Sequence, residues 1–78
     1  MTDLEIALRA AVEDAVVGEP MSPRLAGVAR SAVLAELHRQ GVRGLVEARV
    51  RRGGVQVTVV VEPGTVRVRR VVIQTAGD

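Results

Sequence analysis

One histidine, one adjacent pair of acids, one Gly-Gly and a set of arginines are the residues of this chain whose types could do chemistry. The chain has no cysteine, so thiol nucleophiles and thiolate metal ligands are excluded. His38 falls near the end of an expected helix, with no serine and acid patterned around it. A base in a catalytic triad needs both a nucleophile and an orienting third group, and His38 therefore reads as a solvated helix-end residue. Glu13 and Asp14 are the adjacent acids. Neighbours on a helix diverge by about 100°, which makes them a wet face rather than a divalent-cation site. Gly53-Gly54 precedes a strand pattern, whereas phosphate-cradling loops lead into helix N-termini. The pair reads as a turn. The expectation is a non-enzyme with no catalytic residue, no cofactor and no metal.

The arginines are the feature with charge character. All eleven basic residues are arginine, which raises the pI to about 11.0 although the net charge is only +2. Arg49, Arg51, Arg67 and Arg69 stand at alternate positions of strand-like runs, and alternation sends such residues to one side of a sheet. Guanidinium groups make bidentate contacts to phosphate or carboxylate, so this face is a candidate anion-binding surface. The competing reading is the ordinary wet side of a half-buried sheet. It is favoured because sheets that bind single strands interleave aromatics for base stacking, and the chain has no Phe, Tyr or Trp.

The elements that must hold these residues follow from spacing. Thr2 and Glu5 make the S/T-x-x-E pattern of a capping box. Leu4, Leu8, Ala11, Val12 and Ala15 then recur at intervals of three and four, the mark of one helical stripe. Gly18 can end that helix in a left-handed conformation, which predicts a helix over about residues 3–17. Ser22-Pro23 is a helix start, since proline at the first position loses an amide that is unpaired anyway. A second helix over about 23–40 would stop at Gly41. Its apolar residues spread around much of the circumference: Leu25, Val28, Ala29 and Ala32 on one face, Val33, Leu34 and Leu37 towards another. Such a helix is usually covered on two sides, by the sheet on one and by the first helix or a second subunit on the other.

From Leu45 onward the period changes to two. Val46, Ala48 and Val50 alternate with Glu47, Arg49 and Arg51, then Val55, Val57, Val59 and Val61 with Gln56, Thr58, Val60 and Glu62, which predicts strands over about 45–52, 55–62 and 65–74. A two-residue Gly53-Gly54 loop would pair Val50 with Val57 and Arg49 with Thr58, and Pro63-Gly64 would turn the chain into the third strand. At Arg69-Arg70 the alternation breaks, and a bulge there would return Val71 and Ile73 to the apolar side. The fold class expected for residues 1–78 is α+β, a single two-layer domain with two helices packed on one face of a three-stranded antiparallel meander. The order ααβββ is shared with the opening of histone-like DNA-bending proteins. Those carry a long basic arm and a Gly-Phe-Gly signature, while this chain has a tight Glu62-Pro63-Gly64-Thr65 turn and no Phe; no family is assigned on order alone.

A chain of 78 residues buries only about 60% of its unfolded surface, and without aromatics, disulfides or a metal its remaining route to extra stability is association. No run reaches the roughly 18 apolar residues of a membrane span, and the N-terminus lacks a secretory pattern, which predicts a cytoplasmic protein or one assembled into a particle in the cytoplasm. The functional expectation is a structural or assembly module, of the kind small phage or other particle components provide, that pairs with itself or a larger protein complex. Its candidate interface is Leu34, Leu37 and Val33. The alternative is a nucleic-acid or polyanion binder using Arg49, Arg51, Arg67 and Arg69.

Overall fold

A computed structural model describes residues 3–20, 22–52 and 54–62. Four elements follow one another: helix α1 (Asp3–Val16), helix α2 (Arg24–Arg39), strand β1 (Arg43–Arg51) and strand β2 (Gly54–Glu62). The α+β class is as expected, while the third strand expected over 65–74 and the bulge at Arg69-Arg70 lie outside the described residues, as does Thr2 of the capping box.

Helix α1 buries Leu8, Val12 and Val16, a row at intervals of four that faces one way. Leu4 packs against the same cluster. Val16 was not in the expected stripe; it is buried because the helix keeps its phase to its last residue before Gly18 turns out at φ 79. The Glu19 amide then donates to the Val16 carbonyl at 3.0 Å. At the start of α2, Pro23 already has helical dihedrals, φ −58 and ψ −24. The Ser22 carbonyl closes the first turn by accepting from the Leu25 amide.

The C-terminus of α2 is closely specified. Gly41 adopts φ 70, its amide donates to the His38 carbonyl at 3.0 Å, and the Val42 amide donates to the Leu37 carbonyl at 2.9 Å. Those two bonds around a left-handed glycine define a Schellman cap. The cap satisfies orphan carbonyls and aims the chain straight into β1.

The strands pair antiparallel, with Val50 opposite Val55, Ala48 opposite Val57, Val46 opposite Val59 and Gly44 opposite Val61. This register differs by two residues from the expected one. The ladder closes at Arg51 opposite Gly54, so the connection comprises positions 52 and 53, and Gly54 is a strand residue. Both registers keep Val46, Val50, Val55, Val57, Val59 and Val61 on the inner face and Val60 on the outer one because their offset is even. The observed register depends on glycine at position 44: a Cβ there would lie 2.9 Å from the Val60 carbonyl oxygen and 2.9 Å from Val61 Cγ1. Glycine at that position makes space for Val61.

The layering also differs from expectation. Among the described elements α1 lies on α2, and α2 lies on both strands, with no close approach of α1 to either strand. Thus α2 is the middle layer, covered on two sides as its broad apolar circumference implies. Its own row Leu25, Ala29, Val33 and Leu37 is buried, together with Val55, Val57, Val59 and Val61 of β2. Each valine or leucine of this set contributes about 1.5–3 kcal/mol on burial, against about 0–1 for an exposed ion pair. Packing around α2 therefore dominates the stability.

Candidate functional site

Two surfaces of the hairpin hold the residues singled out by sequence. The first is its outer face. Period two puts Arg43, Leu45, Glu47, Arg49 and Arg51 outward on β1, all exposed, opposite Glu62, Val60, Thr58, Gln56 and Gly54 in turn along β2. Arg49 Nη2 stands 3.5 Å from Glu47 Oε2. Arg51 Nε donates to Gln56 Oε1 at 3.2 Å, a diagonal rather than a directly opposed contact. These side chains and Thr58 border a shallow notch of about 170 Å³. Arg67 and Arg69 lie outside the described residues, so of the four candidate arginines Arg49 and Arg51 are brought to one face. Both are turned toward acceptors of the chain itself, a carboxylate and an amide oxygen, and a phosphate would have to compete with those groups.

The second surface is the flank where the end of α2 meets the start of β1. An open cleft of about 540 Å³ runs there between Leu34, Leu37 and His38 of α2 and Val42, Arg43 and Gly44. The expected interface set divides at this place. Val33 and Leu37 are 0% and 2% exposed, so they belong to the core of the single chain. Leu34 is only half-buried and faces the cleft. Leu37 contributes one wall of the cleft while most of its surface is packed beneath it. The helical row at intervals of four runs through Val33 and Leu37, and Leu34 stands one position off it.

Along the same flank, Arg30 Nε reaches across from α2 and donates to the Val46 carbonyl of β1 at 3.3 Å. A short way along α2, Glu36 accepts both Arg39 Nε at 3.2 Å and Arg39 Nη2 at 2.6 Å, together with Gln40 Nε2 at 2.6 Å. The Arg39 hydrogen bonds, then the Gln40 one, hold the Glu36 carboxyl below its ordinary range. His38 is exposed at the rim of the cleft.

Three residues here were not singled out by sequence. Gly44 sets the register, Arg30 meets the strand, and Leu45 is 79% exposed on the outer face. Leu45 could have been found by parity, since it shares its phase with Glu47 and Arg49. Nothing in the spacing of Arg30 announces its contact.

Among the described residues no group of three or more His, Cys, Asp or Glu is placed to hold a metal ion, and no helix is long and apolar enough to cross a membrane. No protein-family model matches the chain, and no curated protein or solved structure matches it.

Proposed function

We propose that this chain is a non-catalytic assembly module that associates with itself. One observation carries the reading. The flank formed by α2 and β1 leaves an open apolar cleft around Leu34 beside a strand that has a single strand partner among the described residues. A small domain with no aromatic side chain gains most from covering such a flank. The competing reading, a nucleic-acid or polyanion binder, has weaker support, because Arg49 and Arg51 are engaged by Glu47 and Gln56.

Size-exclusion chromatography with light scattering, refractive index and ultraviolet detection tests both. The pure chain has no aromatic side chain and no cystine, so it should be nearly blank in the near ultraviolet, and any nucleobase band reports a bound nucleic acid. The expected result is a discrete multimer with a blank spectrum, reduced in mass by Leu34→Glu with the far-ultraviolet circular dichroism retained. Leu37→Glu should instead lose the fold, since it buries an unpaired charge. A monomer at every concentration, carrying a nucleobase band lost on raising salt, would reverse the reading.

A further inference from the structure

We propose that β1 pairs antiparallel with β1 of a second copy, about a two-fold axis at Ala48, which among the described residues makes a sheet of order β2-β1-β1-β2. This rests on the self-association reading and names its surface. In a hairpin closed by a two-residue connection the closing residues, here Arg51 and Gly54, exchange hydrogen bonds, and the bonded pairs then alternate along the ladder. Odd-numbered residues of β1 thus point their amides and carbonyls at β2. Gly44, Val46, Ala48 and Val50 point theirs the other way. The Arg30 contact is independent support, since it reaches the Val46 carbonyl from α2.

That phase limits the ways two copies can meet. An even-numbered residue must oppose an even-numbered one, which keeps the valine face of both copies on the same side and opposes the outer-face residues odd to odd. Of the registers that use most of β1, centring on Glu47 sets Glu47 against itself and Arg43 against Arg51. Centring on Val46 sets Arg43 against Arg49. Centring on Ala48 sets Glu47 against the second copy's Arg49, and Arg49 against the second copy's Glu47, with no like charges opposed. It also lays Leu45, 79% exposed in the single chain, against the second copy's Arg51, whose methylene stem can cover it. Directly opposed charges of opposite sign stabilise a strand pair and like charges weaken it. Charge complementarity therefore selects a second copy of this chain, in this register, as the occupant of the edge.

The Arg30 contact is compatible with this pairing. A carbonyl oxygen has two acceptor lone pairs, and in the single chain a charged side chain laid on the strand edge discourages indiscriminate pairing. The half-exposed Leu34 lies on the same flank, beside Arg43 and Gly44 at the end of β1 away from the hairpin turn.

The test is a charge exchange on the outer face, read by light scattering with circular dichroism as the check on folding. Glu47→Arg and Arg49→Glu, each alone, should weaken the dimer by about ten-fold or more in Kd, because each opposes like charges twice. An equal mixture of the two variants should recover a dimer of one copy of each, since every opposed pair is again Arg against Glu. A wild-type chain that is a monomer overturns both this proposal and the assembly reading. A wild-type multimer that neither variant weakens leaves the assembly reading standing and overturns the edge. Weakening by Glu47→Arg but not by Arg49→Glu also overturns it, in favour of a shorter pairing centred on Leu45 that opposes Arg43 to Glu47. A mixture that stays monomeric, with both variants folded, removes the register.

Discussion

Strands β1 and β2 are paired residue for residue, yet they are buried differently. On β2 the inward positions Val55, Val57, Val59 and Val61 are 0–5% exposed. On β1 the inward positions Gly44, Val46, Ala48 and Val50 are only half-buried, and two of them are small. The lesson is that one hairpin can be finished on one strand and unfinished on the other. β2 supplies bulk to a closed core, while β1 supplies room and a flank. Stability should be concentrated in the first and association in the second.

The largest effect on stability should come from filling the room that β1 provides. Gly44→Val places a branched side chain where even a Cβ meets the Val60 carbonyl oxygen and Val61 Cγ1 at 2.9 Å. Replacing a strand glycine would ordinarily recover roughly 0.5–1 kcal/mol of backbone entropy, but a ladder carbonyl cannot step aside without breaking its pairing. Overpacking should win, at or beyond about 3 kcal/mol. Urea unfolding followed by far-ultraviolet circular dichroism measures it. A neutral or stabilising Gly44→Val would mean that the strands slide to another register, and the β1-β2 contrast would then be lost.

Next comes a matched pair of cavities. Val59 and Val46 face each other on the inner side, but Val59 is fully buried and Val46 only partly so. Val59→Ala should cost about 2 kcal/mol, through the lost burial of two methyl groups and a residual cavity, and Val46→Ala less than about 1. Equal losses, by the same unfolding measurement at a concentration where the chain is a single species, would show that β1 is as closed as β2.

The sequence carried some of this contrast and not the rest, for physical reasons that differ by residue. The ends of α1 and α2 were legible because Gly18 and Gly41 stand where a left-handed residue is required, and few other residues accept that conformation. The inward phase of the valines was legible because alternation of period two has only two solutions, and one of them exposes Val55, Val57, Val59 and Val61 together. Register was not, since sliding by two residues leaves that phase unchanged, and the fit of Gly44 to Val61 exists only in the packed hairpin. Nor was the position of α1, because an apolar stripe states that it is covered but not by which element. At the candidate site the same limit applies. Leu34 and Leu37 are both leucines of one helix, and whether each meets core or cleft depends on where the hairpin lies across that helix.

The smallest effect concerns the ionic contacts of the α2 end, which lie outside the closed core. Arg39 and Gln40 hold Glu36 ionised to lower pH than usual. A carboxylate whose pKa is depressed on folding contributes stability that is fully present above its unfolded value, about 4.3. The contribution is lost as pH falls through the lower folded value. Arg39 is shifted upward, so its side of the exchange is complete throughout the neutral and acid range and adds no slope there. Glu36→Gln should therefore lower Tm slightly at neutral pH, the contact being solvent-screened, and the gap from wild type should close once the pH drops below the folded pKa of Glu36. Val59→Ala, by contrast, should keep its own deficit at every pH at which the chain remains folded, since among the described residues no titrating group is buried in that packing. Thermal melts of the three chains across an acid titration read both slopes. If the Glu36→Gln gap persists in acid, the carboxylate matters through shape rather than charge. If the Val59→Ala deficit itself varies with pH, the core around β2 is coupled to the charged helix end, and the separation between a finished strand and an unfinished one is less sharp than the burial of their side chains implies.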